Sequence, residues 1–129
     1  FISAFGEHVI AEEVESAIAE IASKHALSVS EFHVAPLVNP ESGKPRHQWF
    51  IETDEELSDD FAPDLDFSLR SKNKYYDDLI KGNVLHQLEV VKVPRGTFNT
   101  YMESIGKLGG QNKLPRLAND RSIADQVGV

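Results

Sequence analysis

Ser28-Val29-Ser30-Glu31-Phe32-His33-Val34-Ala35-Pro36-Leu37-Val38, Asn39-Pro40-Glu41-Ser42-Gly43-Lys44-Pro45 and His47-Gln48-Trp49-Phe50-Ile51-Glu52 form the stretch on which the fold turns. The first run is rich in β-branched and aromatic residues, with Phe32 and Val34 on one face, and reads as a strand. Pro36 lacks an N–H to give to a ladder, which suggests an edge strand or a strand end. The second run is dense in turn formers. In the third, Trp49 and Ile51 alternate with Gln48 and Phe50, so the three together predict a β-hairpin.

Upstream, Glu12 to Ala26 places Val14, Ala17, Ile18, Ile21 and Ala22 on the single stripe of an amphipathic helix. A short opening strand over Phe1 to Ala4 is also expected. Downstream, Glu52 to Asp66 carries acids and no Lys or Arg, and with Pro63 it reads as a solvated loop. Asp64 to Lys81 sets Leu65, Leu69, Tyr76, Leu79 and Ile80 at helical spacing, stopped by Gly82 and Asn83, and predicts a second long helix. Leu88 to Val93 alternates as a strand, Pro94 ends it, and Thr97 is positioned to cap a short helix with Phe98, Met102 and Ile105. The fold class expected is α+β: a small mixed or antiparallel sheet of three to four strands packed with helices, split βαβ-like.

The chain has 129 residues, 40% of them hydrophobic and 26% charged, which suits one folded domain and excludes disorder throughout. A net charge of −8 opposes attraction to nucleic acid or to anionic lipid. With no cysteine, disulfides, thiolate metal ligands and a cysteine nucleophile are excluded. No apolar run approaches the roughly 20 residues of a bilayer span, and a cytoplasmic location is expected. The sequence opens on Phe1 rather than Met, and we expect a single domain, residues 1–129, cut from something longer.

Two segments carry possible chemistry. Gly109-Gly110-Gln111-Asn112-Lys113-Leu114-Pro115-Arg116-Leu117 is an unpatterned loop that can present a cation to an anion. Arg95, Lys107, Lys113 and Arg116 face only one acid, Glu103, in sequence, a local basic patch in an acidic chain. Lys113 is either a lysine delivered to charge developing in a transition state or an ordinary solvated lysine. At the other end, Gly6-Glu7-His8-Val9-Ile10 precedes Glu13-Val14-Glu15, acids that complement a helix start. Taken alone, that segment reads as structural.

Together these segments resemble the C-terminal domain of the Gretchen Hagen (auxin-responsive) acyl-acid amido synthetases, within the adenylate-forming superfamily. Gly6-Glu7-His8-Val9-Ile10 with Glu13-Val14-Glu15 is similar to the stretch just past that superfamily's interdomain hinge. Val93-Pro94-Arg95-Gly96-Thr97-Phe98 resembles its Gly-Thr-Phe step, Gln111-x-Lys113-x-Pro115-Arg116 its most recognisable signature, and Asn73 to Tyr76 part of its long helix. The resemblance covers residues 5 to 120.

It implies a lid domain of a larger ligase, with ATP and Mg2+ in the intact enzyme and none in this chain alone. Such an enzyme activates a carboxylic acid as an acyl-adenylate and passes the acyl group to an amine, usually that of an amino acid. Lys113 would be catalytic, entering the cleft during adenylation. Arg116 and Gln111 would contact substrate or phosphate, although Arg116 can equally anchor the loop by pairing with a carboxylate and Gln111 can shape it. Gly6, Glu7 and His8 would form the hinge-adjacent face brought to the cleft in a second pose. The partner implied is the N-terminal adenylation domain of the same chain, which holds the ATP and acid pockets, so this chain alone is expected to be inactive.

The remaining patterns carry less. His8, His25, His33, His47 and His86 match no zinc spacing, although His33 and His47 could face each other across the hairpin, and no metal residues are assigned. Ordinary surface or half-buried histidines are expected. Arg70, Lys72 and Lys74 beside Tyr75 and Tyr76 read as a solvated helix face with the tyrosines turned partly inward rather than a base-stacking platform. The acidic run lacks the glycine and acid spacing of a calcium loop. No Walker-type glycine-rich run is present. The alternative to the enzyme reading is a self-contained small-ligand or regulatory binding module with an anion-binding loop at Lys113.

Overall fold

The hairpin forms as the alternation requires: β1 (Glu31–Leu37) pairs antiparallel with β2 (Arg46–Glu52), setting Val34 opposite Trp49 and Phe32 opposite Ile51. In this computed structural model, which describes residues 1–128, β3 (Glu89–Val93) joins β2 in parallel, with Phe50 opposite Val91. The sheet is three-stranded, mixed and ordered β1-β2-β3, so the fold is α+β and Pro36 does lie on an edge strand. A parallel neighbour needs a crossover. It is built by α2 (Phe61–Lys72) and α3 (Lys74–Lys81).

Both faces of the sheet are covered. On one, Phe32, Val34, Trp49 and Ile51 pack against α1 (Ala11–Lys24), α2 and Tyr76 of α3. On the other, Ala35, Phe50 and Val93 meet Phe98 of α4 (Thr97–Ser104) and Ala124 and Val127 of α5 (Ala124–Val127). Trp49 is fully buried and stacks on Phe32 with ring centroids 6.1 Å apart. No helix among the described residues is long and apolar enough to cross a membrane.

α1 starts where Glu13 reaches back to accept the Ile10 N–H at 3.0 Å. It stops at Lys24, two residues short of the expected Ala26, because Ala26 turns left-handed at φ 52°. There Leu27 N–H bonds Ala22 O and Ala26 N–H bonds Ser23 O, a Schellman end made without glycine.

Four expectations are corrected. The long helix over Asp64 to Lys81 is two helices, broken at Asn73, whose backbone is extended (φ −139°, ψ 107°). The first of them begins at Phe61, before Pro63, because a proline in the first turn gives up only an N–H that has no helical partner. The acidic stretch is not uniformly solvated: Glu52 and Asp66 are buried, Asp66 accepting from the Tyr76 hydroxyl and from Leu88 N–H. The opening strand is only a bridge between Ile2 and Val9, outside the sheet. Gly96, at φ 93°, caps α4, and Thr97 is its first helical residue. α5 has no counterpart in the hydrophobic pattern.

The histidine expectation also changes. His33 pairs in register with Phe50 and His47 with Pro36, placing the two rings on opposite faces of the sheet, and both are fully buried. Of the paired tyrosines, Tyr76 is fully buried and Tyr75 is exposed.

Candidate functional site

The Lys113 loop leaves α4 through Gly106, Gly109 and Gly110, all left-handed (φ 71°, 82° and 64°), a conformation that glycine adopts without steric cost. Asn112 N–H closes a tight turn on Gly109 O. From Leu114 onward the loop is pinned. Leu114 packs against the core beneath the sheet and Leu117 against the core above it. Between them the backbone lies along the open edge of β1: Val34 N–H bonds Arg116 O at 2.9 Å, and Ala118 N–H bonds Val34 O at 3.0 Å. The buried His33 ring adds Nδ1 to the Pro115 carbonyl at 2.6 Å. Burial holds that ring below the usual histidine range, favouring its neutral form.

Lys113 stands at the last unpinned position, on the rim of a groove of about 770 Å³ that also touches Glu31, Glu52, Arg95, Lys107 and Arg116. Most of these charges are already engaged. Arg116 Nε meets Glu31 at 2.8 Å, its Nη1 lies 3.6 Å from Glu15, and its guanidinium sits over the Phe32 ring. Arg95 pairs with Asp54. Glu52, at the end of β2, accepts Ser30 Oγ at 2.7 Å and the Phe98 N–H at 3.0 Å, fixing the start of α4 against the sheet. Lys107 and Lys113 make no ion pair among the described residues, whereas both arginines of the groove are held by carboxylates.

Gln111 is exposed in the glycine turn and Arg116 is held as a loop anchor by carboxylates. Gly6 (φ 88°) and His8 (φ 45°) are exposed at a left-handed turn, and the Phe1 ring packs 5.0 Å from His8 and borders the groove. Glu7 does not share that face. Its side chain points inward, fully buried, accepting His47 Nε2–H at 2.7 Å and Phe5 N–H at 2.9 Å. The two chain ends are tied directly, Ser3 N–H donating to Asn119 Oδ1.

His33 and Glu52 escaped the sequence reading. Glu52 shares a face with Gln48 and Phe50 by simple alternation, which was signal enough to place its carboxylate inside once that face is covered. His33 offered no such signal, because its partner is a backbone carbonyl of the distant loop.

Residues 12–122 match the family model described as the GH3 family C-terminal domain. A solved GH3.15 acyl acid amido synthetase superposes with TM-score 0.69 at 19% identity, over 91% of this chain and 23% of that one. AtGH3.15 acyl acid amido synthetase in complex with 2,4-DB superposes with TM-score 0.68 at 16% identity, over 90% of this chain and 23% of that one. The likeness to these structures is one of fold, and the chain spans about a quarter of their length. No curated protein sequence matches.

Proposed function

The chain belongs to the GH3 family, as its C-terminal domain, and from that premise we propose that it is the lid of a longer, cytoplasmic, ATP-dependent acyl-acid amido synthetase. The observation that carries the reading is Lys113: a cation that makes no ion pair among the described residues, at the last unpinned position of a glycine-rich loop, beside a groove whose two arginines are already paired. In the first half-reaction a substrate carboxylate oxygen attacks the α-phosphorus of ATP. An acyl–O–P bond forms, the bond from the α-phosphorus to the bridging oxygen breaks, and pyrophosphate leaves. Negative charge grows on non-bridging and leaving oxygens, and an ammonium held there stabilises that change more than it stabilises the ground state. Lys113 supplies the ammonium.

In the second half-reaction an amine, that of an amino acid, attacks the acyl carbon. The acyl–oxygen bond breaks, AMP leaves, and the nitrogen loses a proton. ATP, with Mg2+ on its phosphates, and the acid are held by the N-terminal domain that such an enzyme carries, because no glycine-rich nucleotide loop occurs here. The chain alone is therefore inactive, and Arg116 serves as the anchor that keeps the lysine loop on β1.

The test is acid-dependent ATP–pyrophosphate exchange by the full-length parent. Lys113→Ala is expected to slow exchange on the order of 100-fold or more, with KM for ATP little affected. Normal exchange by the variant overturns the assignment. Saturable ATP binding by this chain alone, with no exchange by the parent on any acid, moves the reading to a self-contained anion-binding module.

A further inference from the structure

We propose that His33 is a positioning residue for Lys113: by holding the Pro115 carbonyl, its Nδ1–H fixes where the lysine stands over the groove. The inference rests on the reading of Lys113 as the adenylation lysine. A carbonyl can only accept, so at 2.6 Å the His33 Nδ1 carries the hydrogen and Nε2 is left with a lone pair. That Nε2 is buried without a partner among the described residues. An orphaned ring nitrogen costs stability, and an aliphatic side chain would suit this interior better. What His33 supplies in return is a side-chain hydrogen bond to the loop.

The lever between that contact and the lysine is short and stiff. Lys113 precedes Pro115 by two residues, roughly 7 Å of backbone. Proline locks its own φ and keeps Leu114 extended, and the Leu114 side chain is packed against the core beneath the sheet. Upstream, the glycine turn leaves the lysine little support. A shift of the Pro115 carbonyl therefore moves the start of the Lys113 side chain with it. A displacement of about 1 Å in a catalytic group is enough to cost on the order of 100-fold in rate.

The experiment compares His33→Asn, His33→Gln and His33→Leu in the full-length parent by pyrophosphate exchange, with Lys113→Ala alongside. The amide nitrogen of asparagine can take the place of Nδ1, whereas that of glutamine takes the place of Nε2. His33→Asn should retain kcat within about 3-fold, while His33→Gln and His33→Leu lose roughly 10-fold or more in kcat with KM for ATP little changed. In a Lys113→Ala background, His33→Leu should cause no further loss, which a general weakening of the fold would not reproduce. Equal kcat in all three variants, whether normal or reduced, overturns the proposal. Normal exchange by Lys113→Ala overturns the premise instead, so the two failures are distinguishable. Nitrogen-15 NMR of the wild-type imidazoles supplies an arm that needs no variant to fold: the Nδ1–H tautomer is expected at His33, and the Nε2–H tautomer overturns the contact.

Discussion

Glu7 and His47 form a buried pair that joins the segment ahead of α1 to β2: Oε2 lies 2.7 Å from Nε2, and neither side chain is exposed. Burial by itself would raise the Glu7 pKa. The His47 hydrogen bond and the Phe5 and Glu7 backbone N–H groups outweigh it and hold the carboxyl below its ordinary value. The exposed Gly6 and His8 thus flank a residue that fastens their turn to the sheet. Tyr76 extends the same layer, its ring 5.1 Å from that of His47 and its hydroxyl on Asp66.

The first prediction concerns this pair. A carboxyl with a depressed folded pKa contributes stability that is present above its unfolded value and is lost as pH falls through the folded one. Unfolding free energy should therefore decline as pH drops below the ordinary 4.5. Glu7→Ala, which leaves His47 without its partner, should cost about 3–5 kcal/mol in urea unfolding at pH 7. In Glu7→Gln the part of the acid slope due to this residue should vanish, and an unchanged slope would count against the pair.

Asn73 carries the second. Its Oδ1 accepts Tyr76 N–H at 2.8 Å, capping α3, while Nδ2 donates to His8 O and Glu13 Oε1. One side chain thus ends the α2–α3 run and ties it to the start of α1. Asn73→Ala should destabilise by about 2 kcal/mol, the upper range for a lost cap. Asn73→Asp keeps the acceptor, loses the donor and sets a charge beside Glu13, so it should not restore stability. Chemical denaturation of the three proteins checks the order.

The same residue shows why part of the fold was hidden in the sequence. Leu65, Leu69, Tyr76 and Leu79 keep helical phase across Asn73, so periodicity runs through a break that contacts with His8 and Glu13 impose from elsewhere in the chain. Trp49 and Ile51 were legible as inward residues because their face is apolar in any arrangement. Phe50, expected on the other side, is only 2% exposed, since α4 and α5 cover a face that alternation leaves open. The four residues of α5 are too few to show a period. In the site, Lys113 stood out as a cation in a glycine-rich loop. The capture of Arg116 by Glu31 and Glu15 depends on β1 and α1 meeting, which no local pattern encodes.

Gly96 gives a third prediction that separates backbone strain from crowding. A Cβ built there meets no atom within 4 Å, yet φ is 93°. Gly96→Ala should cost about 1–2 kcal/mol through the left-handed backbone alone. The substitution also acts where α4 begins, two residues before the Phe98 N–H that Glu52 accepts. Thermal unfolding should show the loss, and a variant as stable as wild type would mean that the turn relaxes freely.

The fourth prediction tests the division of the lysine loop into a free half and a pinned half. Leu114 and Leu117 are anchored in the two cores, and Ala118 N–H and Val34 N–H lie in hydrogen bonds along the β1 edge. From Leu108 to Lys113 the residues are exposed, and the turn is closed by Asn112 N–H on Gly109 O. Amide exchange follows local opening, so Leu108 to Lys113 should exchange far faster than Val34, Ala118 or the body of α1. His33→Leu should raise the Ala118 rate while leaving the α1 rates alone, because it removes one of the contacts holding this segment to β1. If protection is uniform from Leu108 to Ala118, Lys113 sits on a rigid surface and does not depend on the Pro115 carbonyl for its position. A graded boundary at Leu114 places the lysine where it can move into a cleft while the segment that follows it stays fixed on β1.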